Sequence, residues 1–222
     1  MKPSHILDNM TVDDLAANIL DVWSQQTELD RLAGEGWYLA AHAVARDIGQ
    51  IVAPNRPRDV QEVIGAAMIA VLSPRLGWGR NVTIAETVAR KPDAIGALRR
   101  NIGKAYLVKQ AGQDTSLTDI TCLAVVNAIV SGQKVKSFFE AIAWADHADR
   151  PGQAVIDVHA LSVAIGLRAS DRHYGNLSVR DRYGKVSAAY KFAAARAGVP
   201  LDVMQATTWV TWRRLHNLEY YG

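Results

Sequence analysis

Ile129-Val130-Ser131-Gly132-Gln133-Lys134-Val135-Lys136 joins two stretches of helical periodicity, residues 118–130 and 133–145, with only Ser131-Gly132 between them. Two helices linked by a two-residue turn that contains glycine form a tight hairpin. The second helix starts at the turn, so its unbonded N–H groups and its dipole offer a place for an anion. Lys134 and Lys136 add positive charge at the same end. A DNA phosphate is the natural occupant, and an ordinary helix–helix turn with solvated lysines is the plain alternative.

Outward from the hairpin, almost every segment carries helical spacing. Thr11-Val12-Asp13-Asp14 is a capping start, followed by Leu15, Ile19, Leu20 and Trp23 on one face. A second helix is expected over 27–48, with Gly34 and Gly36 as potential breaks. Pro54-Asn55-Arg56-Pro57 is a linker, because two prolines interrupt any helix. Residues 60–72 form an apolar helix stopped by Ser73-Pro74, and 73–80 read as a turn-rich loop that carries Arg75, Trp78 and Arg80. Shorter helices fit 82–89, 94–101 and 105–111. Asp157 opens a helix that runs to about Gly166, Ser178 caps one that runs through Ala197, and Leu201 begins the last. β-branched alternation is scarce, so the fold class is all-α.

Composition narrows the function classes. A chain of 222 residues, 49% hydrophobic and 21% charged, buries a sizeable core. The longest apolar run, from Val63 to Leu72, is too short to cross a bilayer and reads as a buried helix. Met1-Lys2-Pro3-Ser4 opens no apolar signal sequence, which makes a cytoplasmic protein the default. The single Cys122 excludes an internal disulfide and a cysteine-rich zinc or iron–sulfur site. The six histidines lack the close pairings that metal sites usually need, so neither metal nor cofactor is expected. Net charge is only +3, with a pI near 9.0, which permits a polyanionic partner without requiring one.

Ala154-Val155-Ile156-Asp157-Val158-His159-Ala160-Leu161 is the second informative stretch. Three apolar residues and then Asp at a helix start put the carboxylate at an N-cap beside buried neighbours. Asp is a common N-cap residue, and His159 alone reads as an ordinary hydrogen-bonded histidine.

Gly132-Gln133-Lys134-Val135 followed by Val155-Ile156-Asp157-Val158-His159 resembles the helix-hairpin-helix DNA glycosylase superfamily, in which a hairpin ending Gly-x-Lys precedes a hydrophobic-hydrophobic-Asp-x-His segment. The 8-oxoguanine glycosylases and the endonuclease III group are its best-known members. Ala70-Val71-Leu72-Ser73-Pro74-Arg75 is similar to the family's helix ending in Leu-Ser-x-Gln. Gly103-Lys104-Ala105 sits where members often carry Lys-Ala. The resemblance runs from about Val60 to about Leu167. The sequence departs from the family in four ways. Val130 stands where the family hairpin usually has its first glycine, and Arg75 stands where members carry the glutamine pushed into the duplex. The interval from Lys134 to Asp157 is a few residues longer than usual, which implies an insertion near 144–151. The four-cysteine iron–sulfur motif of the endonuclease III branch is absent.

The resemblance implies a glycosylase-like fold of two helical lobes around a central cleft, one lobe comprising 1–54 and 151–222 with the catalytic Asp, the other 55–150 with the hairpin. It implies excision of a damaged or modified base from double-stranded DNA. Among iron–sulfur-free relatives the substrates include hypermodified pyrimidines. Asp157 would stabilise positive charge on the deoxyribose and orient the nucleophile. Lys134 has two readings: it attacks the sugar and forms a Schiff base, which adds strand cleavage, or it only holds phosphate while water attacks. A wedge residue offsets the cost of base flipping. Arg75 is the expected wedge, with Trp78 as a stacking surface. Gly132, Gln133, Lys136, His159, Arg80 and Lys104 are the remaining expected DNA contacts. Arg168, Arg172, Arg180 and Arg182 read as a solvated face, and Tyr38, Trp209 and Trp212 as core. The expected working form is a monomer on DNA, and the alternative is a helix-hairpin-helix DNA-binding protein without the chemistry.

Overall fold

The computed structural model describes residues 6–91, 97–147, 152–169, 177 and 181–218. Among these, all regular structure is helical, in eleven helices. They are α1 (Ile6–Asn9), α2 (Val12–Ser24), α3 (Glu28–Val52), α4 (Arg58–Leu72), α5 (Trp78–Arg90), α6 (Arg99–Gln113), α7 (Asp119–Ile129), α8 (Gln133–Ala143), α9 (Val158–Ile165), α10 (Arg182–Ala197) and α11 (Leu201–Leu215). The chain divides into two compact units, one of Met1–Trp37 with Gly152–Tyr220, the other of Tyr38–Pro151 with Tyr221–Gly222.

In the first unit the helix starts follow local chemistry. Thr11 caps α2: its hydroxyl accepts from the Asp14 N–H at 3.1 Å, while the Asp14 carboxylate accepts from the Thr11 N–H at 2.8 Å. Thr27 and Asp30 repeat the exchange at the head of α3. Helices α2, α9, α10 and α11 pack together around Leu15, Ile19, Ile156, Leu161, Tyr190 and Met204. Gly34 does not break α3: a Cβ there would collide with the Thr207 backbone on α11, so the glycine serves close helix contact.

Asp30 gives this unit a pH signature. It is only 4% exposed, and burial pushes its carboxyl up. The Thr27 N–H, the Arg214 guanidinium and the Thr27 hydroxyl outweigh burial and leave it below its ordinary value. A carboxyl with a depressed pKa in the folded state stabilises the fold above the unfolded pKa, and that contribution is lost as pH falls through the folded value. Urea midpoints measured on acidification below about pH 4 should therefore fall more steeply in the wild type than in Asp30→Asn. Parallel curves would remove Asp30 from the acid response.

In the second unit α4 is the central element, packed against α5, α6, α7 and α8. Its apolar run, including Ile64, Met68, Ile69 and Leu72, is fully buried, which accounts for a helix with no polar stripe. The C-terminal half of α3 meets α4 at a glycine contact. A Cβ on Gly65 would strike the Ala45 carbonyl, and one on Gly49 would strike that of Gln61. The Pro54–Pro57 linker is held by Arg56, which donates to the carbonyls of Gly112, Asp114 and Leu117 and to Asp119.

Several boundaries differ from the sequence expectation. Helix α5 starts at Trp78, so the loop after α4 is 73–77 and not 73–80. Gly77 provides no side-chain cap that would have marked the start. Residues 99–113 form one helix through Gly103, where two were expected, and residues 94–96 at the start of the first expected helix lie outside the described residues. Ser178 also lies outside them, and α10 begins at Arg182. Among the described residues no helix is long and apolar enough to cross a membrane.

Candidate functional site

Asp157 belongs to the first unit and is the N-cap of α9. Its Oδ1 accepts from the backbone N–H groups of His159 (2.9 Å) and Ala160 (2.8 Å). Both bonds fall on one oxygen, so Oδ2 remains open to a further partner. The carboxylate is half-buried, and Ala154, Val155 and Ile156 before it are buried. At the other end of α9, Gly166 closes the helix at φ 69°, and Asn18 Nδ2 donates to the Ala164 carbonyl at 2.9 Å.

Two tyrosines of α10 brace this segment. Tyr183 accepts from the Ile156 N–H and donates to the Ala154 carbonyl, each at 3.2 Å. Tyr190 donates to the Ala160 carbonyl at 3.0 Å. Burial pushes the Tyr190 hydroxyl far up, and the negative charge of Asp157 adds to the shift, against a hydrogen bond with Thr208. The backbone on both sides of Asp157 is thus tied to α10, and its carboxylate is held by the N–H groups of its own helix.

An aromatic group flanks the same residues. The His159 ring meets Trp209 edge-to-face at 6.0 Å, Trp37 meets Trp209 edge-to-face at 6.2 Å, and the Arg213 guanidinium lies 4.7 Å over the Trp209 ring. Trp209 was expected in the core. It is half-buried and stands against His159, whereas Tyr38 and Trp212 are buried as expected. The i, i+4 pair Trp209/Arg213 and the i, i+7 pair Tyr183/Tyr190 were visible in the sequence, but nothing local ties either pair to Asp157.

The hairpin belongs to the second unit. Helices α7 and α8 are separated by Val130, Ser131 and Gly132, one residue more than expected. Gly132 is the N-cap of α8 at φ 91°, a backbone that disfavours any side chain, and it makes no side-chain cap. The leading N–H groups of α8 therefore face outward uncapped. Gln133 and Lys134 are the first two helical residues; Lys134 is half-buried, and Gln133 and Lys136 are exposed. Lys104, on α6, donates to the Ser131 hydroxyl in the turn. Three lysines from two helices thus surround one helix start.

The other expected residues stand at the α4–α5 connection. Arg75 is exposed and takes a positive φ of 66°. Trp78 and Arg80 lie in the first turn of α5 and not on a loop, with Trp78 half-buried and Arg80 exposed. Asn81 Nδ2 holds that turn on the Ile69 carbonyl at 3.1 Å. Arg168 is exposed, while Arg172 and Arg180 lie outside the described residues. Arg182 is not part of a solvated face: it is 6% exposed and pairs with Asp8 through two bonds of 2.7 Å. Cys122 is buried against the Ala111 carbonyl, and burial pushes its thiol up, which removes it as a nucleophile. A cavity of about 490 Å³ near Arg56 and Asp119 contains none of the expected site residues.

Residues 1–216 match a family of unknown function, DUF7178. The chain belongs to that family. The match covers both units and every candidate residue above. No curated protein and no solved structure matches the chain.

Proposed function

We propose that this DUF7178 protein is a DNA glycosylase of helix-hairpin-helix type, which flips a damaged or modified base from double-stranded DNA and cleaves its N-glycosidic bond. The observation that carries the reading is the Asp157 carboxylate, fixed through one oxygen by two backbone N–H groups, on a segment whose backbone Tyr183 and Tyr190 brace on either side. Charge develops on the deoxyribose as the base departs, and a pre-positioned carboxylate stabilises it without reorganising. The electron pair of the C1′–N bond leaves on the base. C1′ takes its new bond from water or from Lys134 Nζ, and the attacking group gives up a proton. The aromatic group at His159 and Trp209 supplies stacking surface of the kind that holds an extruded base.

The hairpin supports DNA as the partner. An uncapped helix start with Lys104, Lys134 and Lys136 around it suits backbone phosphate. Arg75, on its exposed positive-φ turn, remains the proposed wedge, with Trp78 and Arg80 beside it in sequence. A hypermodified pyrimidine is one of the substrates the proposal includes, since the chain lacks the four-cysteine motif as the iron–sulfur-free members of the superfamily do.

Incubation with a panel of modified-base duplexes in the presence of borohydride tests the reading. Base release is expected, and a covalent protein–DNA adduct that disappears in Lys134→Gln would assign Lys134 as the Schiff-base nucleophile. Release without an adduct would leave water as the nucleophile and Lys134 as a phosphate contact. Salt-dependent binding with no release across the panel would reduce the chain to a DNA-binding protein.

A further inference from the structure

His42, Glu62 and Asp146 come together in the second unit from three separate elements: α3, α4 and the turn after α8. Their ligating atoms all lie within 4.8 Å of one another. No feature of the proposed DNA chemistry uses them. We propose that they form a site for a first-row divalent cation of the Zn²⁺ or Mn²⁺ class.

The His42 ring carries the argument. Its side chain is 6% exposed. Nδ1 lies 2.8 Å from the Ile142 carbonyl, an oxygen that can only accept, so Nδ1 bears the proton. In the neutral ring Nε2 is then a bare lone pair, and it has no hydrogen-bond partner. Its neighbours are two carboxylates, Asp146 Oδ2 at 3.4 Å and Glu62 Oε1 at 3.7 Å. Arg58 bonds Glu62 Oε1 but leaves Nε2 without a donor, and a buried lone pair that faces two anionic acceptors is favourable only with a proton or a metal ion beside it.

Geometry favours the metal ion. An imidazolium N–H donating to a carboxylate draws it in to about 2.7–2.9 Å, and both distances here are well beyond that. Two ligands of one tetrahedral ion, each about 2.0–2.2 Å from it, stand about 3.3–3.6 Å apart, which is close to what His42 Nε2 makes with its two neighbours. A histidine that gives its other ring N–H to a backbone carbonyl is also the usual arrangement of a metal-bound imidazole, since the bond fixes the tautomer and aims the lone pair. Imidazole with two carboxylates suits zinc, iron or manganese better than calcium or magnesium.

The surroundings provide charge balance and access. Arg58 Nε donates to Glu62 Oε1 at 2.8 Å and offsets part of the anionic charge. Asp146 is 43% exposed, which opens one side of the cluster to solvent for entry and for a water ligand. His147 stands beside Asp146, its Nε2 3.8 Å from Oδ1, and is not one of the three clustered ligands. The glycine contact between α3 and α4 brings their backbones together and so places His42 and Glu62 at ligand spacing.

The test uses the full chain stripped with a chelator and then titrated with zinc chloride or manganese chloride. One equivalent of metal per chain is expected, together with a higher melting temperature and a movement of one histidine Nε2 ¹⁵N resonance that is missing from His42→Gln. Asp146→Asn, an isosteric change at a half-exposed position, should weaken uptake at least tenfold and abolish the melting shift. Should His42→Gln fail to fold, Asp146→Asn and the wild-type ¹⁵N spectrum decide alone. Absence of saturable uptake overturns the proposal. So does uptake unchanged by Asp146→Asn, or a ¹⁵N spectrum in which every histidine resonance ignores the metal.

Discussion

Asp157→Asn is expected to lower the rate of base release by about 10³-fold, or about 4 kcal/mol of transition-state stabilisation, while leaving the fold almost untouched. The separation of the two effects follows from the geometry. Asparagine keeps an Oδ1 that accepts the same His159 and Ala160 N–H bonds, and it caps helices about as well as aspartate. The variant therefore loses charge and little else. Its urea midpoint should correspond to a change of no more than about 1 kcal/mol. Single-turnover release from the best duplex of the panel, compared at saturating protein, gives the kinetic number. A variant that released base at the wild-type rate would remove Asp157 from the chemistry, whatever became of DNA binding. Asp157→Ala would lose cap and charge together and so could not make the distinction.

The sequence exposed the features that are local. Asp157 could be recognised as an N-cap because three apolar residues precede it and helical spacing follows. The glycine between two helical stretches marked the hairpin, and the structure shows why that residue is glycine: Gly132 sits at φ 91°. The capping start at Thr11 and the C-terminal glycine of α9 were equally readable. The start of α5 was not. Gly77 caps with no side chain, and Pro74, Gly77 and Gly79 together gave the composition of a loop. That helix is fixed from outside, by Asn81 reaching the Ile69 carbonyl on α4.

Long-range partners were invisible for the same reason. The three residues around His42 are spread from α3 to the turn after α8, so no spacing rule for metal ligands finds them. Trp209 read as core because aromatic residues on an apolar helix usually are, and its contact with His159 arises only when α11 packs on α9. The bracing of the backbone around Asp157 by Tyr183 and Tyr190 depends likewise on α10. Local chemistry picks out the candidate groups, and tertiary packing determines what supports them.

Arg182 is the clearest case, and its removal should carry the largest cost in stability. Its guanidinium grips Asp8 bidentately, Nε to Oδ1 and Nη2 to Oδ2, both at 2.7 Å, with the two side chains 7% and 13% exposed. Lys185, one turn along α10, donates to the Leu7 carbonyl at 2.8 Å. These bonds hold α1, a four-residue helix too short to persist without tertiary support. Arg182→Ala removes the guanidinium from the largely buried Asp8 carboxylate, and should cost about 3–5 kcal/mol. A double variant, Asp8→Leu with Arg182→Met, replaces the pair with apolar volume and should recover much of that loss, since a well-packed apolar pair often matches a buried ion pair. Urea unfolding of the two single variants and the double variant closes the cycle. The consequence reaches the candidate site, because Tyr183, which clamps Ala154 and Ile156 ahead of Asp157, is the next residue along α10. Arg182→Ala should therefore slow base release as well as destabilise the fold, and the double variant should restore both. A single variant within about 1 kcal/mol of wild type would mean that the pair is screened like a surface ion pair, and that α1 is held by its other contacts, among them buried Leu7 and the Lys185 bond.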